Sequence, residues 1–170
     1  YQVQEVTAEL GLSREFTPRS RGWLDFTYRL VDTEVPIEAF SSRDALRGGT
    51  IRAERDSRSN FFSPVSGSFT QAMLRAYGGK LLGGPSYAIL NASWSRYLLT
   101  GSRSVLATRI RAGLAQPYAG TDEVLIFDRF FAGGANSVRG YEERHLGPVA
   151  SSVDTTTGRT SYQPRGGRAL

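Results

Sequence analysis

The 170-residue chain carries 21 Lys+Arg against 16 Asp+Glu, a net charge of +5 at pH 7, with 19 Gly, 7 Pro, one His and no Cys. That composition excludes a disulfide framework and a Cys-based zinc or redox centre, and one histidine leaves little for a His-rich metal site. A hydrophobic fraction of 39% is too high for simple disorder, no window approaches the ~18–20 apolar residues of a membrane-spanning helix, and the interspersed charges give nucleic acid little hold.

A membrane β-barrel stays open, because its strands alternate and never look apolar in bulk. Tyr1–Leu12 places Val6, Ala8, Leu10 and Leu12 on one face and Glu5, Thr7 and Glu9 on the other, the period-two pattern of a strand. Gly22–Val31 sets Leu24, Phe26, Tyr28 and Leu30 against Asp25, Thr27 and Arg29. Gly48–Arg58 groups Thr50, Arg52, Glu54 and Asp56 opposite Ile51 and Ala53. In Gly67–Tyr77 the apolar set is Ala72, Leu74 and Ala76, with Phe69, Met73, Arg75 and Tyr77 opposing it. Ser86–Thr100 runs Ala88, Leu90, Ala92 and Trp94, and Ser104–Ala115 runs Leu106, Thr108, Ile110, Ala112 and Leu114. Aromatics near strand ends, Trp23, Tyr77, Tyr97 and Tyr118, match the girdles of lipid-facing barrels, although any strand is enriched in them.

The connections read as medium over Ser13–Arg21, long over Asp32–Arg47, medium around Pro64 and again around Gly83-Gly84-Pro85, tight at Gly101-Ser102, and long from Gln116 to Arg165. If Gly101-Ser102 is a periplasmic turn, both long segments fall outside, as an up-and-down barrel requires. A soluble sandwich or small barrel uses the same alternation and the same turn residues. Mid-strand charges at Glu54, Arg109 and Arg111 suit a water-filled lumen as well as an exposed sheet face. The domain reading is six strands over 1–115, a long outside loop over 116–165, and another strand opening at 166–170. The first residues contain no Met and no apolar leader, so a secretory signal is expected to be cleaved or to lie outside these residues.

Two segments carry more specific information. Phe127-Asp128-Arg129-Phe130-Phe131-Ala132-Gly133-Gly134 leads into Val138-Arg139-Gly140-Tyr141 and then Leu146-Gly147-Pro148. Upstream, Asp56, Arg58, Phe62, Pro64 and Gly67 stand in the spacing Asp-x-Arg-x-x-x-Phe-x-Pro-x-x-Gly. Both resemble elements of the outer-membrane-protein assembly superfamily, the BamA/TamA-like or bacterial surface antigen barrels: the signature loop and a strand–turn–strand element. Gly166-Gly167-Arg168-Ala169-Leu170 resembles the strand opening that follows that loop. The resemblance spans at least Gly48 to Leu170.

The resemblance implies an all-β fold, an antiparallel transmembrane β-barrel, with this chain part of a roughly 16-stranded wall. It implies that the signature loop folds back into the lumen and that Arg139 pairs with acidic residues of the inner wall. A buried guanidinium needs such a partner, because its desolvation is otherwise costly. In the family that partner comes from a later strand; Glu54 or Asp56 would be alternatives here. Gly133, Gly134 and Gly140 would supply backbone freedom or close approach, Val138 is part of the motif, and Tyr141 would pack on the wall.

The function implied is a bacterial outer-membrane insertase, not an enzyme, which templates incoming strands at a weakly paired seam. Its partners would be outer-membrane lipid and lipopolysaccharide, unfolded outer-membrane proteins, and accessory lipoproteins or a periplasm-spanning partner as candidates. No nucleic acid, cofactor or metal is expected. Competing readings are a two-partner secretion transporter and a passive diffusion porin. Other constellations fail on chemistry: no phosphate-loop spacing occurs, and His145 beside Glu142 and Glu143 has no paired nucleophile. A single Arg-Gly-Gly at 165–167 is poor reason to expect RNA.

Overall fold

Six antiparallel strands follow the six alternating segments, and the first three extend well past the pattern that announces them. In the computed structural model, which describes residues 2–35, 40–78, 82–135, 137–153 and 160–170, they are β1 (Gln2–Thr17), β2 (Ser20–Val35), β3 (Phe40–Asp56), β4 (Gly67–Tyr77), β5 (Tyr87–Leu99) and β6 (Val105–Pro117). They pair in chain order as one open meander sheet. A single 3₁₀ turn at Ile126–Asp128 and a hairpin of β7 (Val149–Val153) with β8 (Thr160–Pro164) follow.

Two expected connections are overturned. Asp32–Arg47 is not a long loop: β2 and β3 stay in register from Ser20↔Arg55 to Val35↔Phe40, leaving 36–39, outside the described residues, as the connection. The alternation fades there because both faces become polar, while the backbone ladder depends only on a neighbouring strand. Ser13–Arg21 likewise contains a two-residue turn, Pro18-Arg19, closed by the Thr17↔Ser20 pair. Proline's fixed φ suits the first position of such a turn. After β6, residues 168–170 run antiparallel beside it, with Ala115 N–H donating to Arg168 O (2.7 Å) and Gly113 and Leu170 exchanging both backbone bonds.

The register converts local alternation into two continuous faces. Leu12, Leu24, Ile51, Leu74, Leu90 and Leu114 are aligned across all six strands, and every one is 45–75% exposed. A row of leucine and isoleucine bare to the outside over a whole sheet is a lipid-facing surface, far beyond the patch an ordinary soluble domain leaves open. The other face carries Glu5, Asp25, Arg29, Arg52, Glu54, Arg75, Arg109 and Arg111.

The apolar band also crosses the register obliquely. From Glu9, the middle of Val6–Leu12, the pairing leads through Thr27, Gly48, Tyr77 and Tyr87 to Pro117. The middle of the β6 run Leu106–Leu114 lies about seven residues short of that, a drift of about 1.4 residues per strand. With a rise of ~3.3 Å and a strand spacing of ~4.8 Å, the strands tilt about 44° from the band's normal, close to the ~35–45° of membrane barrels.

A charge on the lipid face should therefore be costly in the middle of the band. Ala92→Arg is expected to lower the unfolding free energy of the full-length protein in bilayers by about 2–4 kcal/mol. Asn91→Arg, facing the other way, should cost far less; denaturant titration in vesicles reads both.

Candidate functional site

The polar face is not empty. Val31, Leu46, Tyr77, Tyr87, Ile89 and Ala115 form a buried apolar cluster at one end of it, completed by Val124 from the segment after β6 and flanked by Leu125, Phe127 and Phe130. Phe130 lies over Gly113 of β6, where a Cβ would come within 2.5 Å of its ring. The glycine makes room for the aromatic, and Phe130 pairs backbone to backbone with Gly167 (2.9 and 2.7 Å). Residues 124–130 thus fold back onto the sheet and meet it through apolar contact.

One charged group fixes that contact. Asp128, at the end of the 3₁₀ turn, accepts two hydrogen bonds from Arg29 Nη1 of β2 (3.2 and 3.3 Å) and one from the Tyr87 hydroxyl of β5 (2.6 Å). Arg29 turns its Nε (2.9 Å) and its Nη2 to Glu5 of β1, and its guanidinium stacks 4.7 Å from the Phe127 ring centroid. The side chains of Arg29 and Asp128 are only 11% and 9% exposed. A buried ion pair persists when both partners are hydrogen-bonded throughout, as these are. Beside it opens a cleft of about 490 Å³ lined by Glu5, Thr7, Glu9, Thr27, Arg29, Arg75, Tyr77 and Asp128. Asp128 therefore clamps the segment after β6 to β2 and β5, and through Arg29 and Glu5 to β1.

The signature segment continues from this anchor as a closed loop. Ala132 and Leu146 bridge its ends, Gly134 N–H donates to Tyr141 O (3.0 Å), and Ser137 Oγ bonds both Gly133 N–H and Gly133 O. Gly133 has φ +109°, and a Cβ there would lie 2.3 Å from the Glu142 carbonyl oxygen, so conformation and space both demand glycine. Gly134 and Gly140 also have positive φ, at +90° and +94°. Val138, Arg139 and Tyr141 are exposed, and the ion pairs among the described residues do not include Arg139. Asp56 is engaged elsewhere.

That engagement forms the second motif. Arg58 grips Asp56 with Nε (2.9 Å) and Nη2 (2.6 Å), and the Arg58 N–H caps the same carboxylate (3.0 Å). Donating these hydrogen bonds to the Asp56 carboxylate raises the Arg58 guanidinium above its ordinary pKa. Arg58 also stacks on Phe61 and Phe69, each 4.8 Å from its carbon. Phe62 is almost fully exposed, Pro64 is half-buried, and Gly67 (φ +96°) opens β4. The element is a hydrogen-bonded turn between β3 and β4. The His145 Nδ1 lies 2.8 Å from Glu143 O and 3.7 Å from the Glu142 carboxylate, both in the loop, and the described residues hold no cluster of metal-ligand side chains.

A family model described as the Omp85 superfamily domain matches residues 1–170. The chain belongs to the Omp85 superfamily. Its sheet is accordingly part of the wall of a transmembrane β-barrel, left open in these 170 residues. The chain is 32% identical over 130 residues to a SAM50-like protein of Schizosaccharomyces pombe, covering 74% of this chain and 27% of that protein. It is 29% identical over 98 residues to the outer membrane protein assembly factor BamA of Nitratidesulfovibrio vulgaris, covering 58% of this chain and 12% of that protein. The chain thus spans about a quarter or less of each of these Omp85 relatives.

Sequence reasoning missed the clamp. Arg29 stood out only as one charge on a polar strand face, and Asp128 only as a residue before the aromatic pair. A faint signal was present: a carboxylate directly between Phe127 and Arg129-Phe130 in a segment expected to touch a charged wall.

Proposed function

We propose that the chain is the wall and luminal loop of an outer-membrane insertase, which folds and inserts other outer-membrane proteins by pairing their strands at a seam of its barrel. The observation that carries this reading is the membership of all 170 residues in the Omp85 superfamily, together with likeness to an outer membrane protein assembly factor. The activity is templating by exposed strand edges, with no covalent chemistry. The proposed location is the bacterial outer membrane. Unfolded outer-membrane proteins are the substrates, lipid and lipopolysaccharide the surroundings, and accessory lipoproteins or a TamA-type periplasm-spanning partner the helpers. The docked segment 124–130 occupies the polar face, which favours a braced wall over the open pore of a passive porin.

The test uses the full-length protein in liposomes, following insertion of an unfolded outer-membrane substrate. Wild type should accelerate insertion, and Arg29→Ala, which frees the anchor of the luminal loop, should reduce the acceleration about tenfold, equivalent to ~1.4 kcal/mol in the barrier. Ion conductance without acceleration would assign a porin; export of one dedicated polypeptide would assign a secretion transporter.

A further inference from the structure

Toward one end the lipid face carries arginines in a row, apart from the polar residues, Arg47 and Gln116 among them, toward its other end. The end of the sheet that carries the connections 18–19, 57–66 and 100–104 will be called the turn side. Arg14 on β1, Arg55 on β3 and Arg96 on β5 lie toward it, and each shares the face of the aligned leucine row, two, four and six residues from Leu12, Ile51 and Leu90. All three are exposed, and the ion pairs among the described residues include none of them. The acidic residues nearby, Glu15, Glu54 and Asp56, alternate onto the opposite face.

All three lie on the turn-side half of the band. The runs Val6–Leu12, Ala45–Ala53, which includes Arg47, and Ala88–Leu98, which includes Arg96, centre on residues 9, 49 and 93, so the arginines sit five, six and three residues toward the turn side. At a tilt of about 44°, Arg14 and Arg55 lie roughly 12–14 Å from the middle of the band, at the edge of the ~25 Å apolar belt of a membrane barrel, and Arg96 lies roughly 7 Å from it, inside that belt. An arginine stem can lie along apolar surface there while its head reaches the headgroup layer.

Their neighbours are consistent as well. Across the ladder Arg14 faces Gly22, Arg55 lies between Ser20 and Thr70, and Arg96 lies between Ser68 and Thr108. Arg55 and Arg96 thus have small cross-strand neighbours that carry hydroxyl donors, while the Phe16 ring covers Gly22 opposite Arg14. Arginines on alternate strands are about 10 Å apart across the sheet, a spacing that gives each its own anionic group. Phe16, 6.0 Å below the Arg14 guanidinium carbon, and Trp94, opposite Thr70, supply aromatic bodies at the same level.

We propose that Arg14, Arg55 and Arg96, with Ser20, Thr70, Ser68 and Thr108, form a row of sites on the outer wall that bind the phosphates of membrane phospholipids in the leaflet nearest the turn side. Guanidinium pairs phosphate with two parallel hydrogen bonds, and the hydroxyls donate to the remaining oxygens. The row fixes the height at which the barrel sits. It rests on the barrel fold and not on the assembly activity, so it stands or falls separately from the insertase reading.

The test is native mass spectrometry of the full-length protein released from nanodiscs of phosphatidylethanolamine and phosphatidylglycerol. The triple variant Arg14→Gln, Arg55→Gln, Arg96→Gln should retain about threefold less phospholipid than wild type, whereas Lys at the same three positions should keep most of it. Arg109→Gln, on the opposite face of β6, should retain the wild-type amount. Heat-modifiable mobility selects folded protein, and if the triple Gln variant does not fold, the three single changes are read in the same way. Equal retention by wild type and the Gln variants, or an equal loss in Arg109→Gln, overturns the proposal.

Discussion

Arg29→Ala should release the segment after β6 from the wall. It strands Asp128, 9% exposed, with the Tyr87 hydroxyl as its remaining partner, and removes the guanidinium stacked on the Phe127 ring. Breaking one side of a buried pair costs about 3–5 kcal/mol, most of it from the orphaned charge. The double variant Arg29→Ala, Asp128→Ala should therefore be more stable than Arg29→Ala alone, because it removes that charge as well. Denaturant unfolding of the full-length protein in vesicles gives the energies. Trypsin reports the release directly, since Arg139 and Arg144 lie in the exposed loop that Asp128 anchors. Equal trypsin sensitivity in wild type and Arg29→Ala would mean that the loop is held by its apolar contacts alone.

The second large effect is expected inside the signature loop. Gly133→Val forces a β-branched residue into φ +109° and drives a Cβ to 2.3 Å from the Glu142 carbonyl oxygen. The backbone term alone is of order 1–3 kcal/mol, and the clash with main chain has no flexible side chain to absorb it. The bridge between Ala132 and Leu146 should open, and cleavage at Arg139 and Arg144 should rise sharply while the sheet stays folded. Gly140→Ala is the comparison. It has a similar φ of +94° but nothing within 4 Å of the added Cβ, so it should cost only about 1 kcal/mol. If both variants behave alike, conformation rather than space dictates the glycines.

What could be read from the chain depended on whether the information was local. The six strands were legible because each carries its own alternation, and Leu24, Phe26, Tyr28 and Leu30 need no partner to reveal a face. The continuation of β2 and β3 through 32–35 and 40–47 was not legible, because polar residues on both faces erase the period while neighbouring strands still hold the ladder. Pro18-Arg19 was hidden inside a stretch of mixed residues that reads as loop. The two motifs were legible as spacings, yet spacing could not tell which residues do the docking. Asp128 meets Arg29 across 99 positions and Tyr87 across 41, and no local pattern encodes such a meeting. The motif's own arginine, Arg139, remains outside that contact.

The meander has a consequence for the order of events during folding. Among the described residues the six strands pair with one another only in chain order, so the wall from β1 to β6 can grow by successive additions, each closing a short stretch of sequence. The Asp128 clamp is different in kind, since it joins the sixth strand's follow-on segment to β1, β2 and β5 at once. Until those strands stand side by side, the carboxylate has no complete socket to enter. The loop therefore settles late, and its arrival reports that the neighbouring staves have already been laid in the right sequence.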